Sequence, residues 1–309
     1  MGYSLDLFQT AYIVGRFYGG ESLRRICLDF RNDFSFPISA STSLRLIVAK
    51  TKTAYEAVDH LMEMERLSPT QKSGFSPILG DIWEIDEIWL PLGRENFPLI
   101  VVKDLKTCFF PAANPARGSS IETTTEALVC ARDIARKCPV ELRGDGNPAY
   151  KKAVRRAFGH KTKLTVHKKI GPMSQDQSIE GTFGAAVRNR IKGMRSLHSW
   201  AVSPIIIKGM VLDYHFARPC EALIGKTPAE AAMTWNPLDG KRGWPALLRL
   251  AEYYERTRLS LKKQVQVYSK IHRQITFDEL PIVDKRLIGK DGPLTCDRNK
   301  QLQLSSFLT

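Results

Sequence analysis

The sequence predicts an α/β fold: a mixed β-sheet flanked by helices, with a helical region before it and a helical extension after it. Three observations carry that expectation. Residues 81–113 contain three successive runs rich in β-branched and aromatic residues, separated by short turn signals. Residues 123–169 then alternate helical and strand periodicity, as connections do when they lay strands side by side in one sheet. The flanking segments, 5–66 and 245–270, repeat their apolar residues at helical spacing.

In the first segment, "SLRRICLDF" (22–30) places Leu23, Ile26, Cys27 and Phe30 on one helical face. The break "SFPIS" follows. "STSLRLIVAKTKTAYEAVDHL" (41–61) then restarts a helix behind Ser and Thr, whose hydroxyls accept from the open amides of a first turn. Two helices joined by a tight break fit a helix-turn-helix, with 41–52 as the recognition helix and Arg45, Lys50 and Lys52 as DNA contacts. A plain helical packing domain fits the same pattern. "SPTQKSGFSPILG" (68–80), rich in Ser, Pro and Gly, marks a boundary.

The expected domains are thus a helix-turn-helix region over 1–70, a sheet domain over 71–235, and a basic helical extension with a loosely ordered tail over 236–309. Strands are expected at 81–90, 98–105, 107–113, 140–145 and 162–169, and helices at 123–137, 148–159 and 178–194. In the extension, Leu247, Leu250, Ala251, Tyr254, Leu261, Val265 and Tyr268 align along one side of a long helix, as a dimer face or a core face would require.

The chain has 309 residues, enough to bury a sizeable core. Its 46 Lys and Arg against 32 Asp and Glu give a net charge of +14, which favours a polyanionic partner. No apolar run approaches the roughly 20 residues of a membrane span. The best, "AVSPIIIKGMVL", is broken by Pro204 and Lys208, and no N-terminal stretch reads as a signal peptide. Nucleic acid is therefore the expected partner. The six cysteines contain no C-x-x-C pair, which argues against zinc ribbons and disulfide frameworks and for reduced cytosolic thiols.

"DIWEIDEIWL" (81–90) reads as a strand, yet it carries four acids. Trp83, Ile85 and Trp89 point to one face; Ile82, Ile88 and Leu90 share the other with Glu84 and Asp86. Burying an ionised carboxylate costs several kcal/mol unless it is paired, protonated or bound to a cation. Two further acids answer the question this raises. Asp145 lies in "LRGDGNP", at a strand end before a tight turn, where ligand groups collect in α/β sheets and where a simple turn aspartate also fits. At 100° per residue, Phe183, Val187, Ile191 and Met194 form a stripe centred near Glu180, which puts this acid on the core-facing side of its helix. A first-turn glutamate complementing the helix dipole is the alternative. Arg188, Lys192 and Arg195 form a separate basic stripe beside it.

Were Asp86, Asp145 and Glu180 to converge, their mutual repulsion would call for hard cations, and Mg²⁺ takes oxygen ligands of this kind. Two such ions can activate an attacking oxygen and stabilise a leaving oxygen at a phosphodiester. Residues 151–195 hold twelve Lys and Arg against Asp176 and Glu180, a track for a phosphate backbone or else a solvated charged face.

"WEIDEIWL", "LRGDGNPAYKKAV" and "SIEGTFGAAVRNRIKGM", with 34 residues between Asp145 and Glu180, resemble the DDE transposases of bacterial and archaeal insertion sequences. "YHFARPCEALIGKTPAEAA" (214–232) resembles the segment that closes many such domains, and the likeness covers roughly 22–232. The resemblance implies an RNase H-like, integrase-type catalytic domain. It implies Asp86, Asp145 and Glu180 as the metal-binding catalytic triad, two Mg²⁺ (or Mn²⁺) ions, and a helix-turn-helix that grips terminal inverted repeats. It further implies DNA as partner, a homodimer or higher assembly on DNA, and a cytoplasmic, nucleoid-associated prokaryotic protein. Where many relatives carry Lys or Arg seven residues after the Glu, this chain has Val187, with Arg188 one place later. Cys220 stands where His is common, as a turn-shaping residue, and Arg218 is expected to be an ion-pair partner. Two alternatives stay open: a DNA-binding regulatory or architectural derivative of such an enzyme, and a structure-selective nuclease of the same fold.

Overall fold

The computed structural model describes residues 5–67, 77–166, 179–194, 197, 199–233 and 241–272, with backbone alone at 64–67, 180–182 and 260–272. Arg195, Lys168, Lys169 and the tail after 272 lie outside the described residues. The chain forms two compact units, Met1–Ala251 and Glu252–Thr309.

Three helices lead: α1 (Leu7–Tyr18), α2 (Leu23–Phe34) and α3 (Ala40–Leu67). Asp6 and Ser22 cap the first two, accepting from the amides of Gln9 and Arg25. Ser39 accepts from the amide of Thr42 at the start of α3. As expected, Ile26 and Phe30 of α2 are buried, with Leu23 packed beside them.

The strands β1 (Ile82–Leu92), β2 (Glu95–Asp104), β3 (Ala112–Pro115), β4 (Glu141–Gly144) and β5 (Lys163–Val166) form one mixed sheet in the order β3-β2-β1-β4-β5. β1, β2 and β3 pair antiparallel, while β4 and β5 join β1 in parallel. This is an RNase H-like sheet, the fold class that the sequence predicts. Parallel neighbours require crossovers, and α4 (Ile121–Ala135) and α5 (Pro148–Phe158) supply them.

The third strand departs from expectation. "TCFF" is a buried loop, and the ladder starts only at Ala112. Asp104 closes that loop, its carboxylate accepting from the Thr107 amide at 2.9 Å and hydroxyl at 2.6 Å, while Cys108 turns the chain at φ 56°. Local side-chain bonds of this kind compete with a strand ladder.

Alternation along β1 gives the sheet two covered faces. Trp83 and Ile85 face α4 and α5, with the Trp83 ring edge-on to Phe158. The opposite face meets a π-helix (Ile179–Gly184) that continues into α6 (Ala185–Gly193), and behind it α7 (Ser203–Phe216). α1 and α3 pack on α7, where a Cβ on Gly209 would collide with the hydroxyl of Tyr18. The Tyr18 ring stacks 4.8 Å from Trp244, the first residue of α9 (Trp244–His272). α8 (Pro228–Ala232) follows a 3₁₀ turn at Glu221–Leu223. Leu247 and Ala251 of α9 are buried, as the stripe predicts; Leu261, Val265 and Tyr268 lie outside the described side chains. Trp89, on the same face of β1 as Trp83 and Ile85, is 49% exposed.

Arg218 is an ion-pair partner, its Nε 2.6 Å from Asp213 and its Nη2 donating to the Tyr18 carbonyl. Cys220 shapes a turn, its amide donating to Lys226 O and its carbonyl accepting from Gly225.

Candidate active site

The parallel pairing of β1 with β4 sets Trp83 opposite Leu142 and Glu84 opposite Arg143. Continued two residues past that last pair, the same register sets Asp86 level with Asp145, where β4 has ended and its turn begins. Gly144 must be small there: an added Cβ would lie 2.8 Å from the Tyr150 ring and 3.2 Å from Ile85 Cγ2. Tyr150 reports the charge that collects beside it. Burial raises its pKa first, and Glu87, Asp145 and Asp86 raise it further.

Both aspartates are held by backbone. Asp86 accepts from the Glu87 amide at 2.8 Å, and Asp145 accepts from the Asn147 amide at 3.1 Å. Glu84, on the same face as Asp86, is 8% exposed. Its register partners are Lys103 on β2, itself 3% exposed, and Arg143 on β4. That answers half of the question posed by "DIWEIDEIWL". Glu84 is a buried acid whose neighbours in register are Lys103 and Arg143, the latter 3.2 Å from Glu141, and Asp86 belongs to a different environment beyond the end of β4.

The sequence leaves Glu84 and Glu87 open between supporting the acids beside them and lying exposed near a strand end, and it assigns nothing to Ser119 or Asn147. Glu87 Oε1 accepts from Ser119 Oγ and from Asn147 Nδ2, both at 2.8 Å. Burial raises the Glu87 pKa and Asp145 adds to the rise, while the two donors oppose it. Only the short spacing from Asp86 and Asp145 hinted at this cluster, because its three members come from distant segments.

The Glu180 backbone lies in the π-helix, and its side chain is outside the description. The helix itself sits on Asp86's face of β1: Ile179 and Phe183 are buried, and a Cβ on Gly184 would be 3.5 Å from Ile88 Cδ1. The expectation of 100° per residue therefore needs correction, since i→i+5 winding turns less per residue. From Ala185 onward the α-helical stripe holds, with Val187 and Ile191 buried and Met194 packed against the core.

Among the predicted DNA contacts, Arg188 and Lys192 are exposed on α6, and Arg45 and Lys52 are exposed on α3. Lys52 pairs loosely with Glu56 at 3.8 Å, and Lys50 is half-buried. On α5, Lys151, Lys152, Arg155 and Arg156 are exposed, Arg156 meeting Glu122 at 3.1 Å. Among the described residues, no three His, Cys, Asp or Glu side chains are arranged as a metal site. Asp86 and Asp145 provide two hard oxygen donors in a negative environment, chemistry that suits Mg²⁺. No described helix is long and apolar enough to cross a membrane.

Solved structures with a similar fold include the HTLV-2 integrase catalytic core domain in complex with magnesium, 15% identical over 50% of this chain and 99% of that one, with a TM-score of 0.39. A simian T-cell lymphotropic virus intasome in complex with the PP2A regulatory subunit B56 gamma matches at 15% identity over 50% of this chain and 55% of that one, TM-score 0.39. The BIV integrase catalytic core matches at 14% identity over 49% and 92%, TM-score 0.33. No protein-family model and no curated protein matches the chain. The assignment of the sheet rests on its own strand order and register.

Proposed function

We propose that the chain is a Mg²⁺-dependent DDE transposase, a polynucleotidyl transferase that cuts phosphodiesters at the ends of an insertion sequence and joins the freed 3′-OH to target DNA. One observation carries the reading. Continued two residues past its last pair, the β1–β4 register brings Asp86, in the middle of β1, level with Asp145 just beyond the end of β4, and the helix bearing Glu180 lies on Asp86's face.

Asp86, Asp145 and Glu180 would hold Mg²⁺ or Mn²⁺, two ions in all, which when bound lower the pKa of water and neutralise charge on phosphodiester oxygens. The backbone amides of Glu87 and Asn147 fix the aspartate carboxylates before substrate arrives. Exposed cations on α5 and α6 would line the phosphate backbone up with those acids. In this reading residues 1–70 grip the terminal repeats through Arg45, Lys50 and Lys52, residues 71–235 do the chemistry, and 236–309 is an accessory extension. The protein would act as a homodimer or higher assembly on DNA, on the nucleoid of a prokaryotic cell.

The test uses the full chain, Mg²⁺ and DNA from the borders of its own gene. Asp86→Asn, Asp145→Asn and Glu180→Gln should each abolish cleavage and joining while leaving DNA binding near wild type. Strand transfer at wild-type rate by any of them removes that residue from the triad. Border DNA bound but never cut by the wild type would favour the regulatory alternative.

A further inference from the structure

Asn147 uses every polar group it has. Its amide donates to Asp145 Oδ1 at 3.1 Å, its Oδ1 accepts from the Ala149 amide at 2.9 Å, and its Nδ2 donates to Glu87 Oε1 at 2.8 Å and to Ser119 Oγ at 3.3 Å. Ser119 Oγ closes the triangle on Glu87 Oε1 at 2.8 Å. Capping α5 needs only the Oδ1 bond; the two Nδ2 bonds do something else. They tie together β1, the lead-in to α4 and the turn between β4 and α5.

That turn needs a tie. The ladder of β4 ends at Gly144, so no strand pairing holds Asp145. Gly146 follows in left-handed backbone at φ 92°, with Val166 so close that an added Cβ would lie 2.9 Å from it. Beyond Gly144, it is side chains that tie this turn to β1. Glu87 cannot be a third ligand alongside Asp86, because strand alternation turns it toward α4 and α5, while Asp86 faces the π-helix.

We propose that Glu87, Ser119 and Asn147 are a positioning unit that fixes the spacing of Asp145 from Asp86 for a divalent cation. The inference rests on the reading of those aspartates as metal ligands. Groups that orient metal ligands through hydrogen bonds typically change metal affinity about 10–100-fold when removed.

The experiment titrates Mn²⁺ into the full-length protein, reading the free ion by electron paramagnetic resonance, with melting temperature measured in parallel. Glu87→Ala and Asn147→Ser should each weaken Mn²⁺ binding by about tenfold or more at nearly unchanged melting temperature, since Ser retains the helix cap. Glu87→Gln keeps the Oε1 acceptor and should bind as wild type does. The Glu87→Ala/Asn147→Ser double variant should lose little beyond the worse single, because partners in one network do not add. Ser119→Ala, an exposed position that cannot endanger folding, should show a smaller loss. Wild-type affinity in both Glu87→Ala and Asn147→Ser overturns the proposal. A loss in Glu87→Gln equal to that in Glu87→Ala also overturns it, since Glu87 would then be a ligand itself. If Asp86→Asn and Asp145→Asn leave Mn²⁺ binding untouched, the metal-site reading falls and takes this inference with it.

Discussion

Glu84 and Asp86 lie on the same face of β1, two residues apart, and the sheet treats them differently. Glu84 is almost fully buried, with Lys103 and Arg143 as its neighbours in register. Asp86 is half-buried on β1 just past the end of β4, and together with Glu87 and Asp145 it raises the pKa of the neutral, buried Tyr150. Inside the sheet a buried acid has cationic residues beside it in register, as an uncompensated buried charge would be too costly. At the open end carboxylates accumulate, and burial, with the charge of Asp145 added, raises the pKa of Glu87. The first arrangement serves stability, and the second stores electrostatic repulsion that a cation would relieve.

The largest effect expected from this contrast concerns paired substitutions. Glu84→Ala strands Lys103 in the core and should cost about 3–5 kcal/mol of folding free energy, read by urea unfolding. Asp86→Asn and Asp145→Asn should keep or raise the midpoint while cleavage disappears. Should Asp86→Asn destabilise as much as Glu84→Ala, the two acids are alike and the contrast is broken.

Much of this was legible beforehand. The mixed α/β class, the helix at 148–158 and the buried faces of α2 and α6 followed from periodicity, because apolar spacing directly reflects which side of an element meets the core. Asp86 and Asp145 stood out as acids in apolar or strand-end settings. What stayed hidden depends on contacts remote in sequence or on local exceptions. Glu84 looked no different from Asp86 until strand register supplied Lys103 and Arg143. The Asn147–Glu87–Ser119 triangle joins segments 28 and 60 residues apart. The Asp104 loop broke the third strand through side-chain bonds, and the π-helix altered the winding under Glu180.

A second, smaller effect separates the acid cluster from the layer behind the sheet. His215 on α7 is buried, stacks 4.0 Å from Phe109, and accepts from the Phe110 amide at 3.0 Å through Nε2. Burial pushes its pKa down to about 3. The unfolded chain therefore takes up a proton near the ordinary histidine value of about 6.5 while the folded chain stays neutral. Stability from this group is complete above that value and is lost as pH falls toward 3, at up to about 1.4 kcal/mol per pH unit. His215→Gln, which preserves an acceptor, should flatten that slope in unfolding experiments between pH 6 and about 4. An unchanged slope would move the acid sensitivity to the open end of the sheet.

The smallest effect extends the same contrast to cations. Arg190 on α6 is 7% exposed, its guanidinium 3.9 Å from the Phe17 ring centroid and donating to the Glu21 carbonyl at 2.7 Å, and burial pulls its pKa down to about 10. Arg188 and Lys192, two residues to either side, are exposed. Neutralising Arg188 and Lys192 should weaken binding to DNA of any sequence and reduce the slope of log K against log salt by about 0.9 per lost phosphate contact, so roughly 2 for the pair. Adding Arg195 to the set should bring the change to nearly 3 if that residue also meets phosphate. Arg190→Met should leave the slope alone and act on folding, because a buried guanidinium has no counterions to release. A slope that responds to Arg190 and ignores its neighbours would invert the assignment and place DNA against the opposite side of α6.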